Sequence, residues 1–292
     1  MRTTSDPTRT WILLGPQHES ALFATVGSDA AFLAAPLRQV LYPYNAADPA
    51  PTTWHHSIVW QKFNSLATLE QTIKLGGIAS NVQVIAYDNE GGKFPDGSWW
   101  TPPAEWQKCS PVCAVDNDLV VASMKQFAAD VRAIGRSVAF MPGADLWGLT
   151  SPDKYIGYIN SSVALRTASF ADYYHIQSQG LELKLEPSSS NPDFGQFITK
   201  LQAQVRAGQR ASGRVIVTAG LATEAEPLGR TAVHRATSGN LTVVEPQDIY
   251  RAVKSTSTIV DGYWPNLVED DQTEESVLTN AITLLSALSP AP

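Results

Sequence analysis

The segment Val82–Gly92 reads VQVIAYDNEGG: an apolar run that stops at Asp88 and Glu90 and is followed by two glycines. Two acids spaced i, i+2 point to the same side of an extended chain. Carboxylates that close repel each other, which raises one pKa and leaves a proton donor beside a charged partner. Glu90 is the candidate general acid, and Asp88 the candidate that tunes it or stabilises positive charge. A second same-side row follows in DYYHIQSQ, where His175, Gln177 and Gln179 alternate with apolar neighbours. Polar side chains in a row are costly inside a packed core and better suited to lining a polar pocket.

These residues need a scaffold that brings strand ends together. Eight short apolar runs recur along the chain: Thr10–Pro16, Gln39–Tyr44, Ser57–Phe63, Val82–Asp88, Ser137–Gly143, Asp172–Gln179, Arg214–Gly220 and Thr258–Asn266. Continuous apolar runs suit strands buried on both faces, as in parallel sheets. Helical spacing fills several of the gaps, at Asp116–Arg136, Phe194–Gln209, Glu245–Ser255 and Glu274–Leu288. Asp116 is a candidate cap, and Pro246 suits a first helical turn. The pattern predicts an α/β chain folded as a single (β/α)8 barrel over residues 10–292, after a polar leader at 1–9. A doubly wound sheet with a nucleotide role would place a glycine-rich turn after its first strand, where this chain has GPQHES.

In such a barrel the active site forms at the C-terminal ends of the strands. The third run brings Gln61 and Lys62 there, and the eighth brings Tyr263, Trp264 and Asn266. Trp99, Trp100 and Trp106 follow the two acids, and Trp147 follows the fifth run. Flat aromatic faces beside amides and acids suit the apolar faces and hydroxyl edges of sugars. The expected substrate-binding set is therefore His175, Gln177, Gln179, Trp264, Tyr263, Asn266, Trp99, Trp100 and Gln61. His55 and His56 precede a strand and fall at the opposite end. His18 and Glu19 alone do not make a metal site.

With this placement, the order of features resembles the family 18 glycoside hydrolases, the chitinase and endo-N-acetylglucosaminidase family of (β/α)8 barrels. Their signature D-x-x-D-x-D-x-E ends the fourth strand. Here Gln83–Glu90 matches its last Asp-x-Glu, with Gln83 and Ala86 at the earlier acids. Gln177 falls on the glutamine of the sixth strand in plant-type members, and Gln179 stands where they carry a tyrosine. VDGYWPN is similar to the eighth strand, whose tryptophan floors the sugar site; Trp264 takes that place. The resemblance, over residues 80–266, implies glycosidase activity with Glu90 as acid, Asp88 as partner, the substrate's acetamido group as nucleophile, and no cofactor.

Bulk properties narrow the partners. The 292 residues carry a formal net charge of -7 and a pI near 5.2, against the basic surface that nucleic acid requires. No apolar run reaches the roughly 18 residues of a membrane span. Cys109 and Cys113, separated by a Pro-containing turn, permit a local disulfide, which favours an oxidising compartment. Secretion is therefore expected, the signal lying outside this sequence, with a cytoplasmic location as the alternative. Two other functions fit the same residues: a glycan-binding barrel without turnover, favoured by Gln83 and Ala86, and a lyase, cyclase or isomerase using Lys62 as a Schiff base.

Overall fold

In a computed structural model, eight parallel strands close into a barrel. The structure describes residues 9–12, 37–43, 57–89, 92–93, 99–101, 104–109, 113–148, 153–179, 181–183, 192–222, 224–225, 242–266 and 280. In chain order these give β1 (Arg9–Ile12), β2 (Leu37–Pro43), β3 (Ser57–Phe63), α1 (Leu66–Lys74), β4 (Val84–Asn89), β5 (Gly92–Lys93), β6 (Trp99–Thr101), β7 (Gln107–Cys109) and β8 (Cys113–Val115). Then come α2 (Asn117–Ala133), β9 (Ser137–Pro142), α3 (Lys154–Ser161), α4 (Val163–Thr167), β10 (Tyr173–Ile176), α5 (Phe194–Gly208), β11 (Ile216–Ala222), β12 (Glu224–Ala225), β13 (Thr242–Val243), α6 (Pro246–Thr256) and β14 (Gly262–Asn266).

Round the barrel the order is β1, β2, β3, β4, β9, β10, β11, β14, and β14 pairs again with β1. Those strands fall on the eight apolar runs. The short strands β5 to β8 form two antiparallel hairpins in the connection from β4 to α2. In the second hairpin the backbone register sets Cys109 opposite Cys113. The helix expected over Glu274–Leu288 and the leader 1–9, Arg9 excepted, lie outside the described residues, save helical Asn280.

Helix starts follow local chemistry. Asp116 accepts hydrogen bonds from the backbone N–H groups of Asp118 and Leu119, and Asp153 and Asp193 cap α3 and α5 likewise. Pro246 occupies the first turn of α6. The buried face of α2 presents Val120, Met124, Phe127 and Val131 at helical spacing to the sheet.

Alternation along the strands sorts side chains into two cores. The outer one packs Ile85, Tyr87, Val138, Phe140, Tyr174, Val217 and Tyr263 against the helices. The inner one fills the lumen with Trp60, Val84, Ala86, Ala139, Met141, Tyr173 and Trp264. At the N-terminal ends, two aspartates preceding strands tie neighbours together. Asp172 accepts from Val138 N at 2.9 Å and Arg210 Nη2 at 2.7 Å. Asp261 accepts from Val217 N at 2.9 Å, Arg206 Nη2 at 2.8 Å, and Arg214.

Candidate active site at the barrel mouth

Asp88 is the luminal residue nearest the C-terminal end of β4, and it is 5% exposed. Its Oδ2 accepts from Lys62 Nζ at 2.8 Å, and its Oδ1 from Gln177 Nε2 at 3.1 Å. Gln177 spends its second amide hydrogen on the carbonyl of Met141, at 2.8 Å. Three strand ends, β3, β4 and β10, are thus joined across β9 by one carboxylate. Lys62 is half-exposed, so the constellation opens to solvent on the lysine side.

Beneath it lies an aromatic floor. Trp264 is 3% exposed and meets Trp60 edge-on, with ring centroids 5.5 Å apart. The His175 ring packs 4.9 Å from Trp264, and Lys62 Nζ stands 5.8 Å from the same ring. His175 is buried, with Nδ1 3.0 Å from Thr218 Oγ1. Its pKa is pushed down from 6.5 to about 3, first by burial and then by the charge of Lys62. The imidazole is neutral at ordinary pH.

That depression has a sign. The unfolded chain takes up a proton near pH 6.5 that the folded chain refuses until about pH 3. Stability is complete above that window and should fall as the pH drops through it, by up to about 1.4 kcal/mol per pH unit. In urea unfolding, wild type should lose roughly 2–3 kcal/mol relative to His175→Gln between pH 7 and pH 4. Equal pH slopes in the two proteins would contradict a buried neutral imidazole.

The end of β10 is fastened to β11. Ser178 Oγ donates to Gly220 O at 2.7 Å, and buried Glu182 Oε1 accepts from Ala222 N at 2.6 Å. Gly220 matters here for its missing side chain: a Cβ would stand 2.6 Å from the Gln179 amide carbon and oxygen. Gln179 therefore lies against β11 although β10 has already ended. These ties hold Gln177 and Gln179 on a fixed frame, as a preorganised site requires.

The structure brings together Asp88, His175, Gln177, Gln179 and Trp264 of the expected set. It moves two others. Gln61 is the register partner of Ile85, an outer-core residue, so parity turns it to the helical layer while Trp60 and Lys62 face the lumen. Tyr263 also faces outward, its hydroxyl 2.9 Å from Thr256 Oγ1 and donating to Val253 O at 3.2 Å in α6. Both lie on the wrong side of the strand to meet a substrate. Trp106 and Trp147 are packing anchors, against Tyr87 and Tyr158 respectively. Glu90 lies outside the described residues. Trp99 and Trp100 belong to β6 and Asn266 to β14, and only their backbone is described.

No family model matches the chain, and no curated protein matches it. Solved structures do. The C-terminal domain of a candidate chitinase from Desulfitobacterium hafniense DCB-2 superposes with a TM-score of 0.52 at 11% identity, covering 97% of this chain and 99% of that one. A fusion of a xylose isomerase-like TIM barrel with a 4-hydroxyphenylpyruvate dioxygenase gives 0.50 at 10% identity, covering 95% and 42%. The chain has the TIM-barrel fold. At these identities the likeness is one of fold, which hosts many chemistries. The resemblance to glycoside hydrolases thus holds at the level of architecture.

Three luminal residues escape a reading of motifs: Trp60, Thr218 and Gly220. Trp60 could be found from parity, being two residues before Lys62 on the same strand. Thr218 and Gly220 carry no local signal, because their roles come from the register of β11 against β10.

Proposed function

We propose that this barrel cleaves or rearranges a glycosidic bond. The observation that carries the reading is Asp88, two residues before Glu90 in sequence, clamped by Lys62 and Gln177 at the C-terminal mouth above Trp264. In the proposed reaction Glu90 gives its proton to the leaving oxygen and the bond to the anomeric carbon breaks. The negative charge of Asp88 stabilises the oxocarbenium-like transition state. Water adds to the anomeric carbon and returns a proton to Glu90, which closes the balance. Gln177 and Gln179 supply amide groups for substrate hydroxyls. Export of the protein, with Cys109 and Cys113 bridged, belongs to the same reading.

The expected result is that wild type cleaves at least one member of an oligosaccharide panel, read by mass spectrometry, and that Glu90→Gln lowers the rate by about 10²–10⁴ with an unchanged circular dichroism spectrum. Full activity in Glu90→Gln would remove that residue from the chemistry. Sugar binding without cleavage would leave a glycan-binding barrel.

One observation favours a second reading. Lys62 Nζ reaches the mouth with Asp88 at 2.8 Å, where the carboxylate can accept the proton the amine must lose before attacking a carbonyl. The amine would condense with a carbonyl substrate, release water and leave an imine. Borohydride with a carbonyl metabolite would then fix the substrate's mass on Lys62. No adduct at Lys62 would exclude this chemistry.

A further inference from the structure

Below the mouth, among the described residues, three buried ring nitrogens have no hydrogen-bond partner: Nε1 of Trp60, Nε1 of Trp264 and Nε2 of His175. Trp60 and His175 are 0% and 2% exposed, and both pack on the Trp264 ring. Folded proteins leave few such groups unpaired, because each forfeits its hydration without return. Trp106 Nε1 is another, but it is a lone one in the outer core. In the lumen the rings of Trp60 and His175 both pack on the ring of Trp264. The fold does partner indoles elsewhere: Trp147 Nε1 donates to Asn117 Oδ1 at 2.9 Å.

We infer that Trp60, Trp264 and His175 form a buried subsite for one hydroxyl group of a sugar ligand. This rests on the carbohydrate reading and specifies the group recognised. Indole N–H groups only donate, so the occupant must accept twice. In the tautomer that carries its hydrogen on Nδ1, His175 donates to Thr218 Oγ1 and its Nε2 accepts once. An alcohol oxygen offers two lone pairs and one hydrogen, which is the complement of these three atoms. A water molecule matches the same three atoms with one hydrogen to spare, and is the competing occupant that the test must separate. A carboxylate has no hydrogen to give Nε2, and it would enter beside the negative Asp88, whose charge already engages Lys62. A cation finds two donors facing it. Gln179, lying on Gly220, borders the same spot, since Gly220 is the register partner of Trp264.

The test uses the full chain with ¹⁵N-labelled indoles. The sequence holds eight tryptophans, hence eight indole N–H signals. Trp60 and Trp264 are assigned from Trp60→Phe and Trp264→Phe spectra, or by through-bond methods if either variant fails to fold. Glucose, galactose, mannose, xylose and N-acetylglucosamine are titrated to about 100 mM, well above the Kd of a weak ligand. Sodium acetate is the control. At least one sugar should shift both signals saturably, and acetate should not. Whichever variants fold should bind that sugar about tenfold more weakly, as expected for one lost buried hydrogen bond. No shift with any sugar, a shift with acetate, or contacts from both indoles to a resident water that the sugar leaves in place would each overturn the subsite. The two failures are separable. Saturable indole shifts in a protein without turnover would leave the subsite standing and remove the hydrolase; turnover without indole shifts would do the reverse.

Discussion

Asp88→Asn should leave the barrel folded and lower turnover by about 10²- to 10³-fold, the range for removing one group that stabilises transition-state charge. Asparagine keeps the shape of the side chain; its single oxygen can accept from Gln177, while its amide nitrogen faces Lys62, whose half-exposed ammonium can turn to water. Stability should change by no more than about 1 kcal/mol, because the lysine half of the pair is 43% exposed and screened by water. The split between activity and stability is the informative quantity. A carboxylate that only fastened three strand ends would show the opposite split, with a lower unfolding midpoint and unchanged turnover per folded molecule. Steady-state kinetics beside urea unfolding of the same preparation decides between them.

Asp261→Ala should do the reverse and destabilise the fold by about 2–4 kcal/mol, lowering Tm by roughly 5–10 °C. Asp261 sits at the opposite end of the barrel from the mouth. Its carboxylate receives the N–H of Val217 on β11 and the guanidinium groups of Arg206 and Arg214. Truncation strands the N–H of Val217 and the Nη2 of the largely buried Arg206, 21% exposed, whose Nη1 keeps its bonds to Val215 O and Gln209 Oε1. Solvent access to Arg214, 67% exposed, keeps the loss below that of a fully buried pair. Turnover per folded molecule should be unchanged, in keeping with a barrel whose N-terminal face serves stability. A loss of activity at full stability would contradict that division.

Much of the scaffold can be read from the chain because the barrel writes it locally. Buried parallel strands need apolar runs on both faces, so Ser57–Phe63 and Ser137–Pro142 are visible as strands without their partners. Asp116 and Pro246 mark helix starts through one residue's chemistry each. What is harder to read is which side of a strand faces the lumen. In SIVWQKF both Gln61 and Lys62 are polar, and only the register with β4 turns Lys62 inward and Gln61 outward. In GYWPN the polar tip of Tyr263 suits a pocket as well as it suits its bonds to α6, and Trp264 takes the luminal place. The Lys62–Asp88–Gln177 link spans 115 residues of chain, from 62 to 177, and rests on closure of the barrel. The short helices α3 and α4 have too few turns to show a period.

The central claim is that glycosidic chemistry takes place against Asp88 at the barrel mouth. A crystal of Glu90→Gln soaked with an oligosaccharide that wild type cleaves tests it most directly. The sugar should lie at the C-terminal mouth, with its scissile linkage over Asp88, hydrogen bonds to Gln177, and one hydroxyl reaching toward Trp60, Trp264 and His175. A sugar bound elsewhere on the surface, with this constellation left untouched, would contradict it.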